Sequence, residues 1–212
     1  MCRLKLVRDS WRRGWRYILC AALIVAAITV VMFPRERSWM PAELTPVFAG
    51  LARQIGWWFE FHRVPLVFLV VLWYIGQRAR RMDWMEAAGA GFCAGSVAGM
   101  IALVAKILFG RPRPVLHVED GFRWFKFGSA MASFPSGHAA HCWGMAIGAA
   151  IVFPRLLPWG VLACLSVVWS RYATNSHYPS DLLVGSSLGI ASGIVFGMAA
   201  RTWLRAAPAN HR

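Results

Sequence analysis

The stretch AAGAGFCAGSVAGMIALVAKILF, residues 87–109, decides the fold. It carries no charge until Lys106 and is long enough for a helix to cross a bilayer, which takes about 20 residues. Gly91, Gly95 and Gly99 recur at every fourth position. In lipid, where water no longer drives apolar association, such a ridge lets a second helix backbone approach closely. The run stops at Gly110-Arg111-Pro112-Arg113-Pro114, where prolines end a helix and cations leave the hydrocarbon.

Five more apolar segments flank this one, so the chain reads as an all-α polytopic membrane protein with six transmembrane helices. The first runs from Tyr17 to Phe33, the second from Trp57 to Ile75, and the third from Ala87 to Phe109. The fourth runs from His138 to Phe153, the fifth from Leu157 to Trp169, and the sixth from Leu182 to Trp203. The fifth is short for a crossing, so its ends are expected to extend into the flanking residues. The first ends in Phe33-Pro34-Arg35 without a small-residue cleavage pattern, which favours an uncleaved helix over a signal peptide. Between the first two, Leu44, Val47, Phe48, Leu51 and Ile55 recur at helical spacing with Glu43 and Arg53 elsewhere. They predict a short amphipathic helix on the membrane surface over Pro41–Gly56, a plain loop being the alternative. Gly144 and Gly148 in the fourth span, and Gly185, Gly189, Gly193 and Gly197 in the sixth, continue the small-residue theme. The third, fourth and sixth spans are therefore expected to pack together. No repeat or composition break divides residues 1–212, which read as one membrane-embedded domain.

Charge sets the orientation. Of 212 residues, 58% are hydrophobic, yet the net charge is +14. The cations gather before the first span (Arg3, Lys5, Arg8, Arg12, Arg13, Arg16), at Arg78–Arg81, at Arg155, and at Arg201 with Arg205. The positive-inside rule makes those ends cytoplasmic, and it explains the charge better than nucleic-acid binding, for which no module is visible. Residues 34–56, 110–137 and 170–181 then face outward. The longest of these connections carries Phe122, Trp124, Phe125 and Phe127 beside Arg123 and Lys126, a composition suited to the interface. Twelve Trp, many near segment ends, suit interfacial belts. Cys2, Cys20, Cys93, Cys142 and Cys164 show no metal or disulfide spacing and read as small apolar residues.

Three polar clusters share the outer side. Lys106 and Arg113 are seven residues apart, two helical turns, although the prolines end the helix before Arg113. A Lys at a span's end can also merely snorkel. Pro135-Ser136-Gly137-His138 opens the fourth span, where free N–H groups bind anions and Gly allows close approach. Ser136 can cap that helix, which leaves His138 to be explained, and an imidazole can donate a proton near neutral pH. His141 lies one turn on, but no third ligand completes a metal site. Ser170-Arg171 closes the fifth span, and His177 with Asp181 opens the sixth. If helical, that pair faces each other, the carboxylate holding one ring nitrogen protonated and leaving the other as nucleophile. Asp181 can also stabilise the helix start. A phosphoryl group in transfer needs cations on its oxygens, a nucleophile and an acid, and the three clusters supply each.

Lys106-x6-Arg113-Pro114, Pro135-Ser136-Gly137-His138 and Ser170-Arg171-x5-His177-x3-Asp181 resemble the three signatures of the type 2 phosphatidic acid phosphatase superfamily, in order and spacing, over a core of residues 106–181. The resemblance implies that His177 attacks phosphorus and becomes a phosphohistidine oriented by Asp181. It implies that His138 protonates the leaving oxygen, and that Lys106, Arg113, Arg171, Ser136 and the Gly137 N–H bind the phosphate. It further implies no cofactor and no metal, and inhibition by vanadate.

The function expected from this reading is hydrolysis of a lipid phosphate or pyrophosphate at the outer face of a bacterial cytoplasmic membrane. Undecaprenyl pyrophosphate, phosphatidylglycerophosphate, phosphatidic acid and lipid A 1-phosphate are the candidates, the first favoured because it needs recycling at that face. A phosphotransferase using the same phosphohistidine and a non-catalytic lipid-binding or transport protein are the alternatives. The bilayer and the lipid substrate are the partners implied. Glu60, His62 and Arg63, in the second span's first turns, either touch a headgroup or anchor at the interface.

Overall fold

The computed structural model describes residues 19–41, 44–60, 63–126 and 128–207. The amino-terminal cations up to Arg16, together with Cys2, Glu43, His62 and Phe127, lie outside the described residues. Seven helices carry the fold, and no strand occurs among the described residues. They are α1 (Leu19–Met32), α2 (Pro46–Trp58), α3 (Val64–Arg78), α4 (Met82–Phe109), α5 (Gly137–Val152), α6 (Leu157–Ala173) and α7 (Pro179–Ala206).

Small residues determine which helices form the centre. On α4, Ala87, Ala90, Ala94, Ala98 and Ala102 are buried along one face. On α5, Gly144 and Gly148 lie so near α4 that a Cβ would stand 2.9 Å from the Ala94 carbonyl oxygen and 2.8 Å from that of Ala90. α7 packs against both, where a Cβ on Gly193 would meet the Ile147 Cβ of α5 at 2.7 Å and Ser192 Oγ donates to the Ala94 carbonyl of α4 at 2.9 Å. The predicted packing of the third, fourth and sixth spans is thus present as the trio α4, α5 and α7. α3 seals the α4–α5 seam with Leu69 and Leu72 against Ala87, Ala88, Met145 and Ala149. α6 packs on α5 through Cys142, Cys164 and Val167. Of the described cysteines only Cys142 and Cys164 are buried; Cys20 and Cys93 are exposed. The outward surfaces remain apolar, with Val70, Val71, Met100, Leu103 and Leu162 exposed, as suits a chain solvated by lipid.

Among the described residues, three helices are long and apolar enough to cross a membrane, over Met82–Leu116, Pro154–Ala173 and Pro179–Ala206. The fifth predicted span does gain residues at both ends. α1 and α3 are shorter apolar helices, and the 16 residues of α5 reach about 24 Å. The second predicted span is corrected. Trp57 belongs to α2, the helix breaks after Trp58, and α3 begins at Val64 with Pro65 in its first turn. Proline suits that position because a first-turn N–H has no intrahelical partner. The helix α2 turns Ala52 and Gly56 toward α6, where Ser170 Oγ donates to the Ala52 carbonyl at 2.7 Å. Val47, Phe48 and Leu51 stay exposed.

Gly148→Val is expected to force α4 from α5 and cost about 1–3 kcal/mol, read as a lower unfolding temperature in detergent. Gly89→Ala, with nothing within 4 Å of the added Cβ, is expected to leave that temperature unchanged or slightly raised.

Candidate active site

The carboxy-terminal end of α4 and the amino-terminal ends of α5 and α7 converge, and a short run of backbone carbonyls arranges the side chains between them. α4 stops at Gly110, whose left-handed φ of 55° turns the chain. From the last turn of α4, Lys106 Nζ donates to the Ala132 carbonyl at 2.6 Å. Arg113 Nε donates to the Ser129 carbonyl at 2.8 Å, and its backbone N–H to that of Ala130 at 3.0 Å. The two cations are brought together by residues 129–132 and not by helical phase.

α5 begins at Gly137 with Ser136 as its N-cap, the Ser136 Oγ accepting from the Ala139 N–H at 3.5 Å. Ser136 is fully buried, and its own N–H donates to the Asp181 carbonyl at 2.9 Å. Of this cluster, Gly137 and His138 reach the open cavity and Ser136 does not. His141 Nδ1 donates to the Gly137 carbonyl at 2.8 Å.

His177 does not share a helix with Asp181, as the four-residue spacing predicts, because α7 starts two residues later at Pro179. Its Nδ1 lies 2.7 Å from the Ser133 carbonyl oxygen and 3.7 Å from Asp181 Oδ2. A carbonyl can only accept, so Nδ1 carries the proton and Nε2 keeps its lone pair. Ser133, which carries no role in the sequence motifs, thus supplies the carbonyl partner of Nδ1, with the Asp181 carboxylate next to it. Burial pushes the His177 imidazole down to about 4, opposed by Asp181 and reinforced by Lys106 and Arg113. The ring is neutral at pH 7. It sits only 1% exposed, behind the cavity wall, within electrostatic reach of His138.

Asp181 has other partners. Its Oδ2 accepts from the Tyr178 N–H at 2.9 Å and from Ser133 Oγ at 2.5 Å. Its Oδ1 accepts from Arg111 Nη1 at 2.6 Å. Arg111 is completely buried and places all five N–H groups. Nη1 also donates to Ser180 Oγ at 2.8 Å, Nη2 to Glu36 Oε1 and Asp120 Oδ2, both at 2.6 Å, and Nε to Asp120 Oδ1 at 2.9 Å. Its guanidinium lies between the rings of Phe33 and Tyr178, at 4.6 and 4.0 Å from their centroids. Residue spacing alone assigns Arg111 no role of its own. The signal available was the doubled Arg-Pro at 111–114, which supplies one guanidinium to the cavity and one to the interior.

A cavity of about 580 Å³ opens beside these groups, lined by Lys106, Arg113, Gly137, His138 and Glu60, with Met100 and Leu103 among its apolar wall residues. Arg171 stands just outside that wall, against Gly56 of α2, with electrostatic influence on His138 and Lys106. Its Nε is buried with no hydrogen-bond partner among the described residues. Among the described residues no three His, Cys, Asp or Glu side chains form a metal-binding group. The arrangement thus offers three cations, a helix N-terminus and three imidazoles, of which His141 and His177 each point Nδ1 at a backbone carbonyl.

The PAP2 superfamily model matches residues 86–204, more than half of the chain. Lipid A 1-phosphatase from Rhizobium johnstonii is 32% identical over 106 residues, covering 46% of this chain and 43% of that protein. Decaprenylphosphoryl-5-phosphoribose phosphatase from Mycobacterium tuberculosis is 31% identical over 144 residues, covering 65% of this chain and 72% of that one. Lipid A 1-phosphatase from Porphyromonas gingivalis is 28% identical over 134 residues, 61% of this chain and 27% of that protein. The chain therefore spans less than half the length of the lipid A 1-phosphatases it matches. No solved structure matches it.

Arg111→Met is expected to strand Glu36, Asp120 and Asp181 and to destabilise the fold by about 3–5 kcal/mol, as measured by unfolding in detergent. Lysine cannot replace the five-donor fork, so Arg111→Lys should recover only part of that loss. The depressed His177 pKa also fixes a pH dependence. An unfolded chain protonates this ring near 6.5 and the folded one near 4, so stability falls as pH falls through that window. His177→Asn is expected to shrink the drop in unfolding temperature between neutral pH and pH 4.5.

Proposed function

The chain belongs to the PAP2 superfamily, and we propose that it is an integral membrane phosphatase that removes phosphate from a lipid through a phosphohistidine. The observation that carries the reading is the His177 hydrogen bond to the Ser133 carbonyl, which leaves Nε2 unprotonated within electrostatic reach of the cavity cations Lys106 and Arg113. Nε2 attacks phosphorus and the bond from phosphorus to the ester oxygen breaks. His138 gives its proton to that oxygen, so a free lipid alcohol departs. His138, now neutral, takes a proton from water, whose oxygen attacks the phosphohistidine and releases inorganic phosphate with His177 restored. Lys106, Arg113, Arg171 and the Gly137 N–H hold the phosphoryl oxygens, while Ser136 contributes by capping α5. Asp181 supports His177 through Ser133 and the α7 start.

In this reading residues 1–212 form one membrane-embedded domain, with α1 and α3–α7 as six crossings and α2 on the surface. The positive-inside rule then puts the termini in the cytoplasm and the three clusters, Lys106 with Arg113, Ser136 to His138, and Arg171 to Asp181, at the outer face of a bacterial cytoplasmic membrane. No step draws on a metal ion. The relatives' names point to lipid A 1-phosphate or a prenyl-linked phosphoribose as substrate types. Undecaprenyl pyrophosphate, phosphatidylglycerophosphate and phosphatidic acid complete the panel.

Purified protein in detergent is expected to release inorganic phosphate from members of this panel without an acceptor lipid, unchanged by chelator and inhibited by vanadate. His177→Ala should lower the rate by at least about a thousandfold while the protein still unfolds cooperatively. A requirement for an acceptor lipid would identify a phosphotransferase. Undiminished turnover by the variant would exclude His177 as nucleophile.

A further inference from the structure

The cavity is larger than its proposed chemistry needs, and one wall residue has the wrong charge for it. A volume of about 580 Å³ far exceeds a single phosphoryl group and falls within the range of small-molecule pockets, about 300–1,000 Å³. Lys106, Arg113, Gly137 and His138 account for an anion. Glu60 does not, and among the described residues it is the only carboxylate on the wall. A carboxylate facing a phosphate site repels the ligand unless it meets another part of it.

Glu60 is held in place. It sits at the corner between α2 and α3, where Oε2 pairs with Arg63 Nη1 at 3.0 Å. Arg63 in turn donates to the Trp57 carbonyl at 2.5 Å and lies 3.7 Å over the Trp57 ring. Of the phosphate-zone cations, Lys106 is held by the Ala132 carbonyl and Arg113 by that of Ser129, while Arg171 lies within electrostatic reach of Glu60. Its second oxygen has no hydrogen-bond partner among the described residues. The cavity thus has three chemical zones: cations and a helix N-terminus, a fixed acceptor, and the apolar Met100 and Leu103 toward lipid.

We propose that Glu60 reads the headgroup, accepting hydrogen bonds from sugar-type hydroxyls on a lipid whose phosphate is carried by that sugar, and that it disfavours a second phosphate. This rests on the lipid-phosphatase reading above. Carboxylates suit hydroxyl recognition because both oxygens accept and the bonds are charge-assisted. A diphosphate would place further negative charge against the same oxygens.

Three compounds with one hydrocarbon chain provide the test: dodecyl glucoside 6-phosphate, dodecyl phosphate and dodecyl diphosphate. The unmodified protein is expected to favour the glucoside phosphate over dodecyl phosphate by about tenfold in kcat/KM, the worth of one charge-assisted hydrogen bond. Glu60→Ala should collapse that ratio toward one, mainly through KM, and raise the relative rate on the diphosphate. Glu60→Gln, nearly isosteric and still an acceptor, should keep part of the ratio, and unfolding temperatures confirm that both variants fold. A ratio near one in the unmodified protein, or equal losses on all three compounds in the variants, would overturn the role of Glu60 and leave the phosphatase standing. No phosphate release from any compound would overturn both.

Discussion

Three carboxylates from distant parts of the chain meet on one guanidinium with no water-exposed surface. Glu36 follows α1, Asp120 lies in the long outer connection and Asp181 opens α7. Such a cluster is expensive to bury and holds only if its geometry is complete. Arg111 satisfies that condition through all five donors and two flanking rings. The surplus negative charge is met in part by the α7 N-terminus, where the Ser180 N–H donates to Glu36 Oε2 at 2.8 Å. Since Asp181 also binds Ser133, and Ser133 holds His177, the orientation of the proposed nucleophile depends on this interior cation.

A second constraint works through the main chain. Residues 129–133 present the carbonyls of Ser129, Ala132 and Ser133 to Arg113, Lys106 and His177 in turn. One short segment therefore aims two cations and an imidazole. The Lys106–Arg113 spacing reads as two helical turns, yet a helix that ends at Phe109 cannot deliver Arg113 by phase. The carbonyl strip delivers it instead.

The helices and the membrane character were legible in the sequence because they rest on side-chain identity. Gly91, Gly144 and Gly193 announce close packing, and residues 87–109 announce a span. The polar clusters were legible for the same reason, since Lys, Arg, His and Asp advertise charge. The arrangement was less so. Backbone carbonyls have no letter of their own, so the partner of His177 could not be read from the Asp181 spacing. Arg111 was hidden differently. Its neighbour Arg113 has the same letter and the same Pro after it, and only the turn at Gly110 decides which guanidinium goes inward. The corner at Phe59–Arg63 also escaped, because Trp57 and Trp58 suit a membrane crossing as well as the end of a surface helix.

Glu36 bears on what counts as the smallest self-sufficient piece of this chain. The family match begins at residue 86, yet a side chain fifty residues earlier closes the interior charge cluster and secures the start of α7. A fragment trimmed to the matched boundaries would keep every signature residue and lose a ligand of its central cation. The matched region and the interior charge cluster thus have different edges, and the cluster reaches further toward the amino terminus.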